Sequence, residues 1–218
     1  IEHMKSDLQR FGEGVQGSIR IFANTTAVTE FMPEVLADFL AAHPKVDVDL
    51  QERPTNEIIR GVLDGTTDLG ITSGPISADG IELHTFSADR LVLVIPPRHP
   101  LSAADALRFA DVMDCDYIGL HSGSTLQQFV ENLLQGSRRQ LHIRVQVSNF
   151  ESVCRMVEAG VGVGIVPECA AARDIRTMNF IIKQLDESWA IRERHVLARL
   201  GEALPTYTQA LIDSIVAH

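Results

Sequence analysis

The chain has 218 residues, 45% of them apolar and 22% charged, with a formal net charge of −10 at pH 7. That balance suits a globular chain with one large core or two smaller ones, and such an acidic chain lacks the electrostatic footprint of a nucleic-acid binder. No apolar run approaches the roughly 20 residues of a membrane-spanning helix, and the three widely spaced cysteines (Cys115, Cys154, Cys169) offer neither a disulfide framework nor zinc-site spacing and suit a reducing cytoplasm.

Residues 1–16 carry Ile1, Met4, Leu8 and Phe11 at steps of three and four, the a/d spacing of a coiled-coil seam, with a frayed terminus as the plain alternative. They hold no apolar signal-peptide centre, so export is not expected. Ser18 to Ala23 reads as a strand, followed by the polar loop Asn24-Thr25-Thr26. Met32, Val35, Leu36, Phe39 and Leu40 share one helical face, with Pro33 in the first turn and His43-Pro44 as the stop. Val46, Val48 and Leu50 alternate with polar residues as in a half-buried strand. Thr55 is placed to cap a helix carrying Ile58, Ile59, Val62 and Leu63, and Gly65 ends it. Asp68 to Thr72 is a short buried strand. This β-α-β-α-β order predicts a parallel sheet with right-handed crossovers.

Two β-rich runs follow, Ile81 to Phe86 and Arg90 to Ile95, and then a rigid turn from Pro96 to Pro100. A second α/β set begins with the strand Tyr117 to Leu120, the polar loop His121 to Thr125, and a helix carrying Leu126, Phe129, Val130, Leu133 and Leu134. Ile143, Val145 and Val147 alternate in a strand, and Ser148-Asn149-Phe150 leads into a helix with Val153, Met156 and Val157. The run Val157 to Pro167 then gives a helix end, a glycine stop and a short buried strand whose small residues let backbones approach closely. Phe180 to Ile182 makes another strand, Ile191 to Leu200 is extended, and Leu204, Tyr207, Leu211, Ile212, Ile215 and Val216 mark a closing amphipathic helix. Packing that helix back on the first α/β set makes the chain cross between two lobes near Ala88–Leu91 and near Trp189–Arg194, the layout of a hinged cleft. The basic clusters Arg138-Arg139 and Arg192-Glu193-Arg194-His195 read as solvated surface.

In open α/β sheets ligands bind beyond the carboxyl ends of strands. Here those positions are polar and small: Asn24, Thr25 and Thr26 after the first strand, Thr72 and Ser73 at the third, His121, Ser124 and Thr125 after the first strand of the second set, Asn149 and Phe150 at a helix start, and Pro167 at a strand end. Hydroxyls beside helix N-termini suit a carboxylate, phosphate or sulfate group. Ser, Thr and Asn are also the preferred N-caps, so each has a plain capping role beside the ligand one; Phe150 equally fits a core. Enzyme motifs are missing: Gly119-Leu120-His121-Ser122-Gly123 places its serine one residue late for a nucleophile elbow, and Gly160-x-Gly162-x-Gly164 lies before a strand, the reverse of a dinucleotide site. No catalytic residue, cofactor or metal site is expected.

The chain resembles the effector-binding domain of LysR-type transcriptional regulators. The resemblance rests on Gly17-Ser18-Ile19-Arg20-Ile21, on Met32-Pro33-Glu34-Val35-Leu36 with Phe39 and His43-Pro44, on Gly65 to Ile71, on His99-Pro100-Leu101 and on Val157 to Pro167, in that order over nearly the whole chain. It implies an α/β fold of two Rossmann-like lobes joined by a two-stranded hinge, periplasmic-binding-protein-like (type 2). Residues 1–16 would be the end of the family's linker helix and 17–218 the effector-binding domain, with lobe I over 17–88 and 195–218 and lobe II over 89–194. The family's N-terminal winged helix-turn-helix domain would be absent here and would supply the DNA contact. The implied function is to sense a small, anionic metabolite in the inter-lobe cleft, where loops at the matching positions contact the effector. The implied partners are that effector and a second or fourth copy, as homodimer or homotetramer through the helices Met32 to Ala42 and Thr125 to Gln135, with no membrane and a cytoplasmic location. A stand-alone solute-binding protein is the alternative, and an enzyme on the same fold a third.

Overall fold

A computed structural model describes residues 17–135 and 139–218. The seam of Ile1, Met4, Leu8 and Phe11 and the basic residue Arg138 lie outside the described residues. Two compact units emerge: one takes the chain up to Ser87 and again from Glu193, the other runs from Ala88 to Arg192.

The first unit starts with β1 (Gly17–Ala23), whose Ile19, Ile21 and Ala23 are buried while their neighbours are half-buried, the two-residue period of a pleated strand. β1 pairs in parallel with β2 (Val46–Glu52) and with β3 (Leu69–Ser73). β9 (Ile191–Arg199) returns antiparallel to β3, setting Thr72 opposite His195 and Ser73 opposite Arg194. Helix α2 (Met32–Ala42) buries Met32, Val35 and Phe39, and ends at His43, whose ring stacks on Phe39 at 4.3 Å. Helix α3 (Thr55–Asp64) buries Ile58 and Val62 and ends at Gly65, whose φ of 77° is the left-handed cap that the residue type predicts. Helix α8 (Thr206–Ala217) places Leu211, Ile212 and Ile215 in the same core as Ile19, Ile21, Phe39 and Ile71.

The second unit is built on the buried half of β4 (Ile81–Ile95), where Leu91 to Ile95 are fully covered. β7 (Gly164–Pro167) and β8 (Ile181–Gln184) both run antiparallel to it. β5 (Asp116–Leu120) pairs in parallel with β6 (His142–Val147). Helices α4 (Phe109–Val112), α5 (Thr125–Asn132), α6 (Phe150–Glu158) and α7 (Glu168–Asp174) supply the rest of a core that includes Tyr117, Ile118, Leu126, Val130, Val153 and Ala170.

Several expectations change. Thr25 and Thr26 are not loop: they open α1 (Thr25–Glu30), and both are buried. Thr55 is the first residue of α3 and Pro54 its cap. The two β-rich runs are one strand of 15 residues, because the polar stretch Ser87 to Arg90 stays extended where the chain passes from one unit to the other. α4 and α7 had no apolar period long enough to betray them. The parallel sheet expected of the first three strands forms in the order β2-β1-β3. β4 and β9 carry the chain between units and run antiparallel to their partners.

Candidate functional site

In the first unit the polar residues gather at the end of β1 and β3. The Asn24 side chain accepts from the Ala27 amide at 2.9 Å, capping α1, while its Nδ2 donates to Ser73 Oγ at 3.3 Å. The Asn24 amide donates to the Ile71 carbonyl, so the helix start is locked to β3. Thr25 Oγ1 donates to Glu52 Oε1 at 2.6 Å, and Thr72 Oγ1 lies 3.2 Å from Thr55 Oγ1. Asn24, Thr25, Thr26 and Thr72 are all buried, whereas Ser73 is half-buried. The sequence-selected residues of this unit are therefore brought together, with most of their hydroxyls already bonded to neighbours.

In the second unit the same residue types behave differently from one another. Asn149 is exposed and caps α6, its Oδ1 accepting from the Ser152 amide at 2.8 Å. His121 is exposed and its Nδ1 accepts from the Gly123 amide at 3.2 Å. Phe150 is buried in the hydrophobic core, and Pro167 is buried at the junction of β7 and α7. Ser124 stands at the N-cap position of α5 yet caps nothing. It is 2% exposed, and its Oγ has no hydrogen-bond partner among the described residues. The first turn of α5 contains no acidic side chain, and Thr125 is half-buried beside it. An uncapped helix start with a buried, unsatisfied hydroxyl is a local concentration of hydrogen-bond capacity for an oxyanion. A buried hydroxyl left unmade costs about 1–3 kcal/mol, which a ligand oxygen would return.

Sequence reasoning placed two buried polar groups on the surface. Arg192 and His195, read as surface, are 4% and 3% exposed. His195 Nδ1 faces Thr85 Oγ1 at 2.9 Å and Nε2 faces the Gly74 carbonyl at 3.1 Å. That carbonyl belongs to a glycine with φ of 92° directly after Ser73, so His195 holds the turn that ends β3. Arg192 lies near the equally buried Asp89. For Arg192 the signal available was the alternation along β9, which puts it on the same face as the buried Val196 and Ala198; alternation gives no such signal for His195, which shares its face with the exposed Ile191 and Glu193.

Burial, then the charges of Asp114, Asp116 and Asp111, push the Cys115 thiol up, away from the reactive thiolate. Among the described residues no group of three or more His, Cys, Asp or Glu side chains is placed to hold a metal ion, and no helix is long and apolar enough to cross a membrane.

The family model for the LysR substrate binding domain matches residues 12–218. The chain belongs to the LysR substrate binding domain family. A LysR-type relative, a probable RuBisCO transcriptional regulator of Phaeodactylum tricornutum, is 28% identical over 179 residues, covering 79% of this chain. The chain spans 58% of the length of that curated relative. The regulatory domain of CcmR from Synechocystis, solved in complex with 2-PG, matches with a TM-score of 0.80 at 23% identity, over 93% of this chain and 97% of that one. The BenM effector binding domain, solved with its effector benzoate, gives a TM-score of 0.74 at 21% identity, over 92% of this chain and 91% of that one. The LysR-type fold is thus the α/β, periplasmic-binding-protein-like type 2 architecture of two lobes.

Proposed function

We propose that this chain is the effector-sensing part of a LysR-type, DNA-binding transcriptional regulator, and that it binds a small anionic metabolite between its two lobes without turning it over. The observation that carries the anionic reading is Ser124: a buried hydroxyl without a hydrogen-bond partner among the described residues, at the uncapped start of a helix. Benzoate, the effector in the BenM domain, is a carboxylate, which supports the same chemistry. Binding shifts the lobes between two arrangements to the extent that the metabolite prefers one of them. The parent protein works as a homodimer or homotetramer in the cytoplasm. DNA is contacted through an N-terminal winged helix-turn-helix domain.

Thermal-shift screening of the chain against carboxylates, aromatic acids and inorganic oxyanions tests this. The expected hit is an acid whose stabilisation is reduced by Ser124→Ala and Thr125→Val in the second unit and by Thr25→Val in the first. A ligand indifferent to all three moves the site elsewhere, and turnover of the hit replaces the sensor with an enzyme.

A further inference from the structure

Asp89 and Arg192 form a buried, oppositely charged pair in the second unit, with side chains 3% and 4% exposed and Oδ2 and Nη2 3.9 Å apart. Asp89 opens this unit after the chain enters it at Ala88, and Arg192 is its last residue. Asp89 Oδ1 also accepts from the Cys169 thiol at 3.8 Å. The Arg192 guanidinium lies over the Phe129 ring, 5.6 Å from its centre. Removing two charges from water is costly. The position of the pair is more telling. Phe129 sits on α5, and five residues separate it from Ser124, about 7.5 Å of helix axis. The arginine therefore lies alongside the helix whose N-terminus carries the unsatisfied Ser124 hydroxyl. Its positive field adds to that of the helix end, and Asp89 cancels much of it.

We infer that Asp89 is the resident counter-ion of Arg192, and that this pair sets how strongly the start of α5 attracts an acid. The inference rests on the anion-sensing reading above. An acid group arriving at Ser124 competes with Asp89 for the field of Arg192, so the carboxylate keeps the affinity for acids moderate. Arg192 acts through the helix end and is a positioning charge rather than a contact.

The test titrates the nitrogen-15-labelled chain with inorganic phosphate at low salt and follows the Leu126 and Gln127 backbone amides. Asp89→Asn tightens phosphate binding by about fourfold, the factor expected from one unit charge acting over about 10 Å in a partly screened medium. Arg192→Gln weakens it, and the double variant, which removes both charges, returns close to wild type. Raising the salt shrinks both effects. A pair that merely braces the fold gives the opposite pattern: both single variants lower the melting temperature and move the affinity in the same direction or leave it unchanged, which overturns the counter-ion role alone. Should Arg192→Gln fail to fold, the sign of the Asp89→Asn effect decides. A wild-type chain whose Leu126 and Gln127 amides ignore phosphate overturns the anion-sensing reading, and the role of the pair with it.

Discussion

The carbonyl oxygen of Asp116 occupies the place where a side chain on Gly162 would begin. The contact arises because the glycine run is laid along β5: the Val163 amide donates to Asp116 O at 2.9 Å, and the Ile118 amide donates to Val163 O at 2.8 Å. No flexible side chain is available to yield, so Gly162→Ala forces two backbones apart. The expected loss is about 3 kcal/mol, at the upper end of overpacking costs, read as a lower midpoint in urea denaturation. Gly160, two residues earlier, has open space around it but a φ of 77°. Gly160→Ala is expected to lose only about 1 kcal/mol, from the left-handed backbone.

Arg20 and Asp68 join β1 to the entry of β3. Asp68 Oδ2 accepts from the Arg20 amide at 2.7 Å and Oδ1 from its Nη2 at 2.6 Å. Both side chains are about 30% exposed, so the ion pair is partly screened, but the bond to the amide is local and directional. Asp68→Ala is expected to cost about 2 kcal/mol and Asp68→Asn less, since the amide oxygen still accepts. Chemical denaturation at two salt concentrations separates the screened part from the remainder.

Asn24, Asn149 and Ser124 all precede a helix, and only the two asparagines cap one. Asn24→Ala and Asn149→Ala are each expected to destabilise by about 1 kcal/mol. Ser124→Ala is expected to be neutral or stabilising, because it removes a buried hydroxyl that bonds nothing. Thermal melts of the three variants without ligand check the order. A loss for Ser124→Ala equal to that of the asparagines would mean that the serine caps α5 in solution.

Tyr117 is one of two tyrosines and is fully buried. Burial pushes its phenol well above the usual tyrosine range, outweighing the hydrogen bond from the Ile165 backbone that acts in the opposite direction. An unfolded tyrosine ionises at about pH 10. The folded group holds its proton longer, so this contribution to stability is fully present below about pH 10 and is lost as the pH rises toward the folded value. An ultraviolet titration is expected to show one tyrosine ionising only together with loss of near-ultraviolet circular dichroism. Two tyrosines titrating in the folded chain near pH 10 would contradict it.

Much of the fold was legible because burial leaves a period in the sequence. β1 alternates Ile19, Ile21 and Ala23 inward, α3 puts Ile58 and Val62 on one face, and Gly65 marks the left-handed stop. α1 escaped because Thr25 and Thr26 look like loop; only the Glu52 carboxylate waiting on β2 and the Asn24 cap make burying them tolerable. α7 escaped because its buried face is Ala170 and Ala171, too small to print a pattern. The structure gathers the polar strand-end residues of the first unit, but nothing in their order says which hydroxyls are already bonded and which are spare.

By itself the chain of residues determined the alternation of strands and helices, the glycine stops and the family, since each follows from local periodicity, backbone preference or a motif order spread along the whole length. What only the tertiary structure decided is the state of individual polar groups: that Asn149 caps while Ser124 does not, that Arg192 and His195 are buried, and that Asp89 faces Arg192. Hydrogen bonding and desolvation depend on which atoms meet after residues far apart in sequence have packed, here residues 89 and 192, and no local pattern encodes such a meeting.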